Sequence, residues 1–171
     1  IASGTRASAF GQGANASKAD SIAIGYSSVG SGTLSTAIGS YANATANDSV
    51  AIGYLANATA EDSLAVGKSS IANEKNAIAV GTEAIATNVN ATAFGDATQA
   101  TGFQSTALGA GALATQQNAT AVGEKANASG TQATAVGRQS LASKSGTTAL
   151  GTISKATGAR ATAIGVQAKA S

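Results

Sequence analysis

The chain of 171 residues contains no histidine, cysteine, methionine, tryptophan or proline, has only three tyrosines and three phenylalanines, and carries a formal net charge of +2. The missing residues exclude a disulfide framework, thiol catalysis and a nucleophilic triad with a histidine base, and the small net charge with 43% hydrophobic residues argues against intrinsic disorder. No apolar run approaches the ~20 residues of a membrane-spanning helix, and a sequence that begins with Ile1 is expected to be a segment of a longer chain.

A tripeptide of alanine, a large apolar residue and glycine recurs every fourteen residues along the chain. It ends first at Gly11 and last at Gly165, in twelve copies without insertion or deletion. Five residues after each glycine stands another small residue, which is glycine at Gly30 and alanine in the other copies. A fixed period of this kind indicates a repeat architecture in which each unit stacks on the next.

Each repeat is expected to contain, in chain order, a short strand, a turn, a second short strand and a second turn. Residues 49–52 and 56–58 are one such pair of strands, because their side chains alternate with a period of two. A coiled coil is excluded, since a glycine in every repeat would cost a helix about 1 kcal/mol each, and the residue seven positions after Ile52 is the polar Thr59. Twelve coils stacked ~4.8 Å apart predict an all-β, parallel β-solenoid roughly 55–60 Å long.

The alternation also predicts which side chains point into the coil. On the second strand, Asn57 and its equivalents are mostly polar, so the flanking small residues, such as Ala56 and Ala58, are expected inside. Two walls of alanine would leave a gap at the usual sheet spacing of ~10 Å, so the large residues of the first strand are expected to fill it. The side chains expected inside are therefore Ile24, Ile38, Ile52, Val66 and their equivalents, and, two residues earlier, Ile22, Val50, Leu64, Ile78 and the threonines from Thr92 onward.

The alanines between these large residues would then point outward. A solvated strand face is normally polar and variable, whereas this position is alanine in every repeat. The alternative is that alanine is merely tolerated there. The predicted oligomer interface consists of Ala23, Ala37, Ala51, Ala65, Ala79, Ala93, Ala107, Ala121, Ala135 and Ala149.

Residues 48–53, DSVAIG, and the following Ala56-Asn57-Ala58 resemble the repeat of YadA-like head domains in trimeric autotransporter adhesins. The resemblance covers nearly the whole chain, although Lys18 stands where the family often has a glycine. It implies a left-handed parallel β-roll, a homotrimer and one head domain over residues 1–171, whose neck, stalk and C-terminal membrane anchor lie outside this sequence. Physical rules alone would favour a right-handed crossover, so hand and chain number rest on the resemblance.

The resemblance further implies a non-enzymatic adhesin on the bacterial outer membrane that binds host extracellular matrix proteins, such as collagen or fibronectin, or cell-surface receptors. The main alternative is a structural spacer or self-association module that projects another binding domain. Ice binding would require the ladder of threonines from Thr92 to Thr162 to point outward, whereas the predicted facing turns it inward.

No catalytic residue, cofactor or metal site is expected. The adjacent carboxylates of Glu61 and Asp62 offer too few oxygens for a hard cation, which takes six or more. Nucleic acid is not an expected partner, because no aromatic platform accompanies the basic residues.

Candidate ligand contacts lie on the outward column of the second strand. Ile71 and Ile85 occupy neighbouring coils and form a small apolar patch, and the column ends in lysines. All eight acidic residues lie before residue 125, whereas residues 125–171 contain six basic residues. The predicted ligand contacts are Ile71, Ile85, Leu113, Leu141, Lys155 and Lys169.

Overall fold

The computed structural model describes all 171 residues as one stack of twelve coils, each with two short strands. In chain order the strands are β1 (Ser8–Phe10), β2 (Asn15–Ala16), β3 (Ile22–Ile24), β4 (Val29–Gly30), β5 (Thr36–Ile38), β6 (Asn43–Ala44), β7 (Val50–Ile52), β8 (Asn57–Ala58), β9 (Leu64–Val66), β10 (Ile71–Ala72), β11 (Ile78–Val80), β12 (Ile85–Ala86), β13 (Thr92–Phe94), β14 (Gln99–Ala100), β15 (Thr106–Leu108), β16 (Leu113–Ala114), β17 (Thr120–Val122), β18 (Asn127–Ala128), β19 (Thr134–Val136), β20 (Leu141–Ala142), β21 (Thr148–Leu150), β22 (Lys155–Ala156), β23 (Thr162–Ile164) and β24 (Lys169–Ala170).

The odd-numbered strands form one parallel twelve-stranded sheet, the first sheet, and the even-numbered strands form the second sheet. Paired residues are always one repeat apart, so that Ala51 pairs with Ala65 and Ala65 with Ala79. The predicted all-β class, parallel pairing and number of coils are confirmed.

Both turns of each coil follow one backbone pattern. In the turn of residues 53–56, the Ala56 N–H donates to the Gly53 carbonyl at 3.3 Å, and the third residue, Leu55, has a φ of 57°.

The glycine that follows each first strand has a different constraint. At Gly67, φ is 134°, and an added β-carbon would lie 2.3 Å from the carbonyl oxygen of Gly81 in the next coil. Only glycine tolerates this conformation and approach, which explains its strict recurrence.

Small side chains from both sheets fill the interior of every coil. Ala51 on the first strand and Ala56 and Ala58 around the second are each 0% exposed. The largest fully buried side chains are threonine and serine, and their hydroxyls mostly donate to nearby backbone carbonyls, as Ser49 does to Ala46 at 2.6 Å. Such bonds offset the cost of burying a hydroxyl.

The small side chains around the second strand point into the coil, as predicted. The prediction for the first strand, that its large apolar side chains point inward, is wrong. Ile24, Ile38 and Ile52 lie on the outer surface with 36–39% of their area exposed. The threonine ladder that begins at Thr92 is also on this outer side, half-buried or exposed. The side chains that point inward, each 0% exposed, are those of Ala23, Ala37, Ala51, Ala65, Ala79, Ala93, Ala107, Ala121, Ala135 and Ala149.

The reason for the reversal is the small separation of the two walls. Threonine and serine are the largest side chains that are fully buried between the walls. The usual ~10 Å spacing assumes side chains of ordinary size, whereas two walls of small residues approach more closely and leave no room for isoleucine. The ten alanines are therefore enclosed within their own chain and cannot form the predicted oligomer interface.

Neighbouring residues of β14 provide a test of this flat interior. Ala100→Val adds bulk to a closed space and is expected to destabilise the protein by about 1–3 kcal/mol. Gln99→Val places the same side chain on the outer face, where a change within about 0.5 kcal/mol is expected. Urea unfolding at one protein concentration measures both variants, and an equal effect on the two would show that the interior has spare room.

Candidate functional site

A column of large apolar residues runs along the outer face of the first sheet. Successive members pair between neighbouring strands, as Val66 does with Val80 and Val80 with Phe94. Several are prominently exposed, including Phe94 at 52% and Leu108 at 43%. We call this column the apolar stripe; it consists of Phe10, Ile24, Ile38, Ile52, Val66, Val80, Phe94, Leu108, Val122, Val136, Leu150 and Ile164.

A second outward column lies beside the apolar stripe, two residues earlier on each strand. Its first half is largely aliphatic, with Ile22, Val50 and Leu64, and from Thr92 onward it is threonine. Soluble monomers rarely expose contiguous apolar surface of more than a few hundred Å², and larger patches mark interaction sites. The outer face of the first sheet is therefore the candidate assembly surface, which the sequence analysis missed because it placed these residues inside.

The predicted ligand contacts lie on the outer face of the second sheet, as expected from the alternation. Ile71 and Ile85 are directly paired and half-buried, whereas Leu113 and Leu141 are separated by the half-buried Asn127. The structure thus brings together the isoleucine pair but not the two leucines.

The two predicted lysine contacts form a pair of their own. Lys155 and Lys169 face each other between β22 and β24, and both are exposed. Ligand contact at all six predicted positions remains a prediction.

An aromatic ladder lies along the first turns of three successive coils. The ring centroids of Tyr26 and Tyr41 are 5.3 Å apart, and those of Tyr41 and Tyr54 are 6.2 Å apart, both edge-to-face. The three residues are 45–49% exposed, and Tyr26 raises the pKa of Tyr41 above its usual value, chiefly through side-chain hydrogen bonding. Sequence reasoning missed the ladder because its members alternate between two adjacent turn positions rather than recurring every fourteen residues.

Charged side chains of the second turns pair between neighbouring coils where acids are present. Arg6 donates two hydrogen bonds of 2.6 Å to the Asp20 carboxylate, which lowers the pKa of Asp20 and raises that of Arg6. Lys75 lies 2.9 Å from Glu61, and this contact raises the pKa of Lys75. Each partner is fourteen residues away, so register alone decides which charges meet.

No three or more acidic, histidine or cysteine side chains come together in a way that could hold a metal ion. The surface has no pocket. The chain has no helix with the length and hydropathy needed to cross a bilayer.

The stacked coils and their outward columns define a repetitive β-solenoid with extended interaction surfaces. The family model for the YadA head domain repeat, two copies per match, covers residues 2–28, 31–56, 58–84, 86–112, 114–140 and 142–168. The chain therefore belongs to the YadA head family, which is the head domain of trimeric autotransporter adhesins. A search of curated proteins found no match.

Proposed function

We propose that residues 1–171 form one non-enzymatic adhesin head that assembles as a homotrimer at the bacterial cell surface and binds host matrix proteins or receptors. The observation that carries the proposal is the apolar stripe, which leaves one whole face of the rod in need of cover. The family supports an adhesin function, and the outward second sheet and both sets of turns supply surface for a ligand.

Self-association is the simplest way to cover the apolar stripe. The stripe repeats with the coil itself, so parallel copies of the chain present the same side chains at the same height along the rod. A closed ring of identical chains buries the same patch on each subunit, whereas an unrelated partner would need a matching face of equal length. Membership of a family whose heads form trimers supports three copies.

The adhesive surface would then lie on the side away from the assembly axis. It includes the isoleucine pair Ile71 and Ile85 on the second sheet and the tyrosine ladder on the turns. Tyrosine combines a large apolar ring with a polar tip and is enriched at interfaces. A pure spacer would also be covered along the stripe, but its outer surface would retain no ligand.

Ice binding requires threonine side chains that point outward. The threonine ladder does point outward, contrary to the expectation from the sequence. The neighbouring apolar stripe argues against ice binding, because Phe94, Leu108 and Val122 differ in size and make an uneven surface beside the threonines. An assembly face accommodates such differences through the partner's side chains. Thermal hysteresis of the isolated head would support ice binding, and its absence would remove that candidate.

The assembly surface is tested by matched pairs of lysine substitutions. Val66→Lys with Val80→Lys places two charges on the apolar stripe, where their burial would be costly, and is expected to convert the multimer into monomer or aggregate. Ile71→Lys with Ile85→Lys makes the same change on the second sheet, and this variant should keep the molar mass of a trimer. Light scattering after size exclusion measures both; a stripe variant that keeps its multimeric mass and fold would contradict the assignment.

Adhesion is tested with the folded, wild-type head on immobilised collagen, fibronectin and laminin. We expect saturable retention on at least one of these matrix proteins and none on albumin. Ile71→Lys with Ile85→Lys should weaken retention if the isoleucine pair contacts the ligand. No retention on any matrix protein or on host cells would favour the spacer.

A further inference from the structure

The last three coils carry an unneutralised group of positive charges. Lys144, Lys155, Arg160 and Lys169 are all exposed, and no acidic residue occurs after Glu124. We call these four side chains the basic end. The first 124 residues contain eight acids and four bases, so the charge of the rod is polarised along its axis.

The fold places the four charges in three successive coils, and two of them face each other directly. Lys155 and Lys169 are register partners, and neighbouring parallel strands lie ~4.8 Å apart. Arg160 lies in the turn that follows β22, and the side chain of Lys144 projects from the turn of the preceding coil. Like charges directly opposite each other in a sheet are destabilising, and no ion pair relieves any of the four.

The contrast with the other end of the rod shows that this arrangement is not a general property of the repeat. Arg6 and Lys75 each meet an acid in the adjacent coil, whereas the register partner of Lys155 is another lysine. Columns of the second turns therefore pair opposite charges near the start and in the middle of the chain, whereas the outward column of the second sheet brings two lysines together near its end. Residues 1–171 supply no acid that neutralises them, so an anion outside these residues is what would do so.

The surroundings favour a flexible polyanion over a protein or a nucleic acid. The cores of protein interfaces are depleted of charged residues, but here the outward column of β22 and β24 is lysine alone. Recognition of single-stranded nucleic acid uses stacked aromatic rings, and the tyrosine ladder lies in coils at the opposite end of the rod. Thr157, whose hydroxyl donates to the Ala170 carbonyl at 3.5 Å, and Ser171 follow the two lysines, and both keep the surroundings of the lysines polar.

We propose that the basic end binds a linear sulfated polysaccharide of the heparin type. The inference deepens the proposed adhesive function and rests on it, because it names one class of ligand for the same head. The sulfates occupy the positions between Lys155 and Lys169 and beside Lys144 and Arg160. In a parallel trimer the three basic ends lie at one height, so that one polymer chain can engage more than one of them.

The test is binding to immobilised heparin with charge-matched variants. Lys155→Gln with Lys169→Gln is expected to elute at lower salt and to bind about three- to tenfold more weakly, as for the loss of two exposed charge contacts. Lys18→Gln with Lys68→Gln removes the same charge from two exposed lysines that make no ion pair and should elute with the wild type. Circular dichroism and melting temperature establish that each variant is folded.

Equal elution of the wild type and the Lys155/Lys169 variant would overturn the inference, as would an equal loss of binding in the Lys18/Lys68 variant. Desulfated heparin that competes as well as intact heparin would overturn it too. Competition by polyglutamate as strong as that by heparin would point instead to an acidic protein partner and would also overturn it. A matrix-protein plate run in parallel separates the two proposals. Retention on the matrix-protein plate without binding to heparin overturns this inference alone. No retention on the matrix proteins or on heparin overturns the adhesin proposal as well.

Discussion

The structure depends on one steric constraint: the two sheets of each coil lie so close that no side chain larger than threonine is fully buried between them. Alanine and serine side chains therefore form the interior, and the parallel hydrogen-bond ladders hold the coils together. Large apolar side chains have no place inside and must lie on the surface. Because burial of apolar area is the main favourable term in folding, a rod of this kind gains much of its stability only when its apolar stripe is covered.

This constraint links the fold to the proposed function. One sheet presents the apolar stripe over the full length of the rod and is suited to assembly, while the other sheet and the turns remain free to vary. Features that break the repeat are accordingly found on the free side: the isoleucine pair, the tyrosine ladder and the basic end. Each is confined to a few coils, which is the arrangement expected when a regular scaffold carries separate contact points for a ligand.

The coils, their parallel register and the positions of the turns could be predicted from the sequence, because glycine recurs without a single shift and the side chains of the strands alternate with period two. The sequence was also sufficient for the second strand, where the polar Asn57 marks the outer side. It was insufficient for the first strand, where alternation separates Ala51 from Val50 and Ile52 but does not say which set is inside. That choice depends on the distance between the sheets, which is set by both walls together and cannot be read from either one.

In the proposed homotrimer, the outer face of the first sheet points toward partner chains and the second sheet points away from them. The chain contains no cysteine, so a single introduced cysteine carries one spin label per chain. Dipolar electron paramagnetic resonance on Thr106→Cys, on the first sheet, and Leu113→Cys, on the second, measures the distances between chains. We expect clearly shorter distances for the label at residue 106 than for the label at residue 113. Shorter distances at residue 113, or no dipolar coupling between chains at either site, would contradict this arrangement.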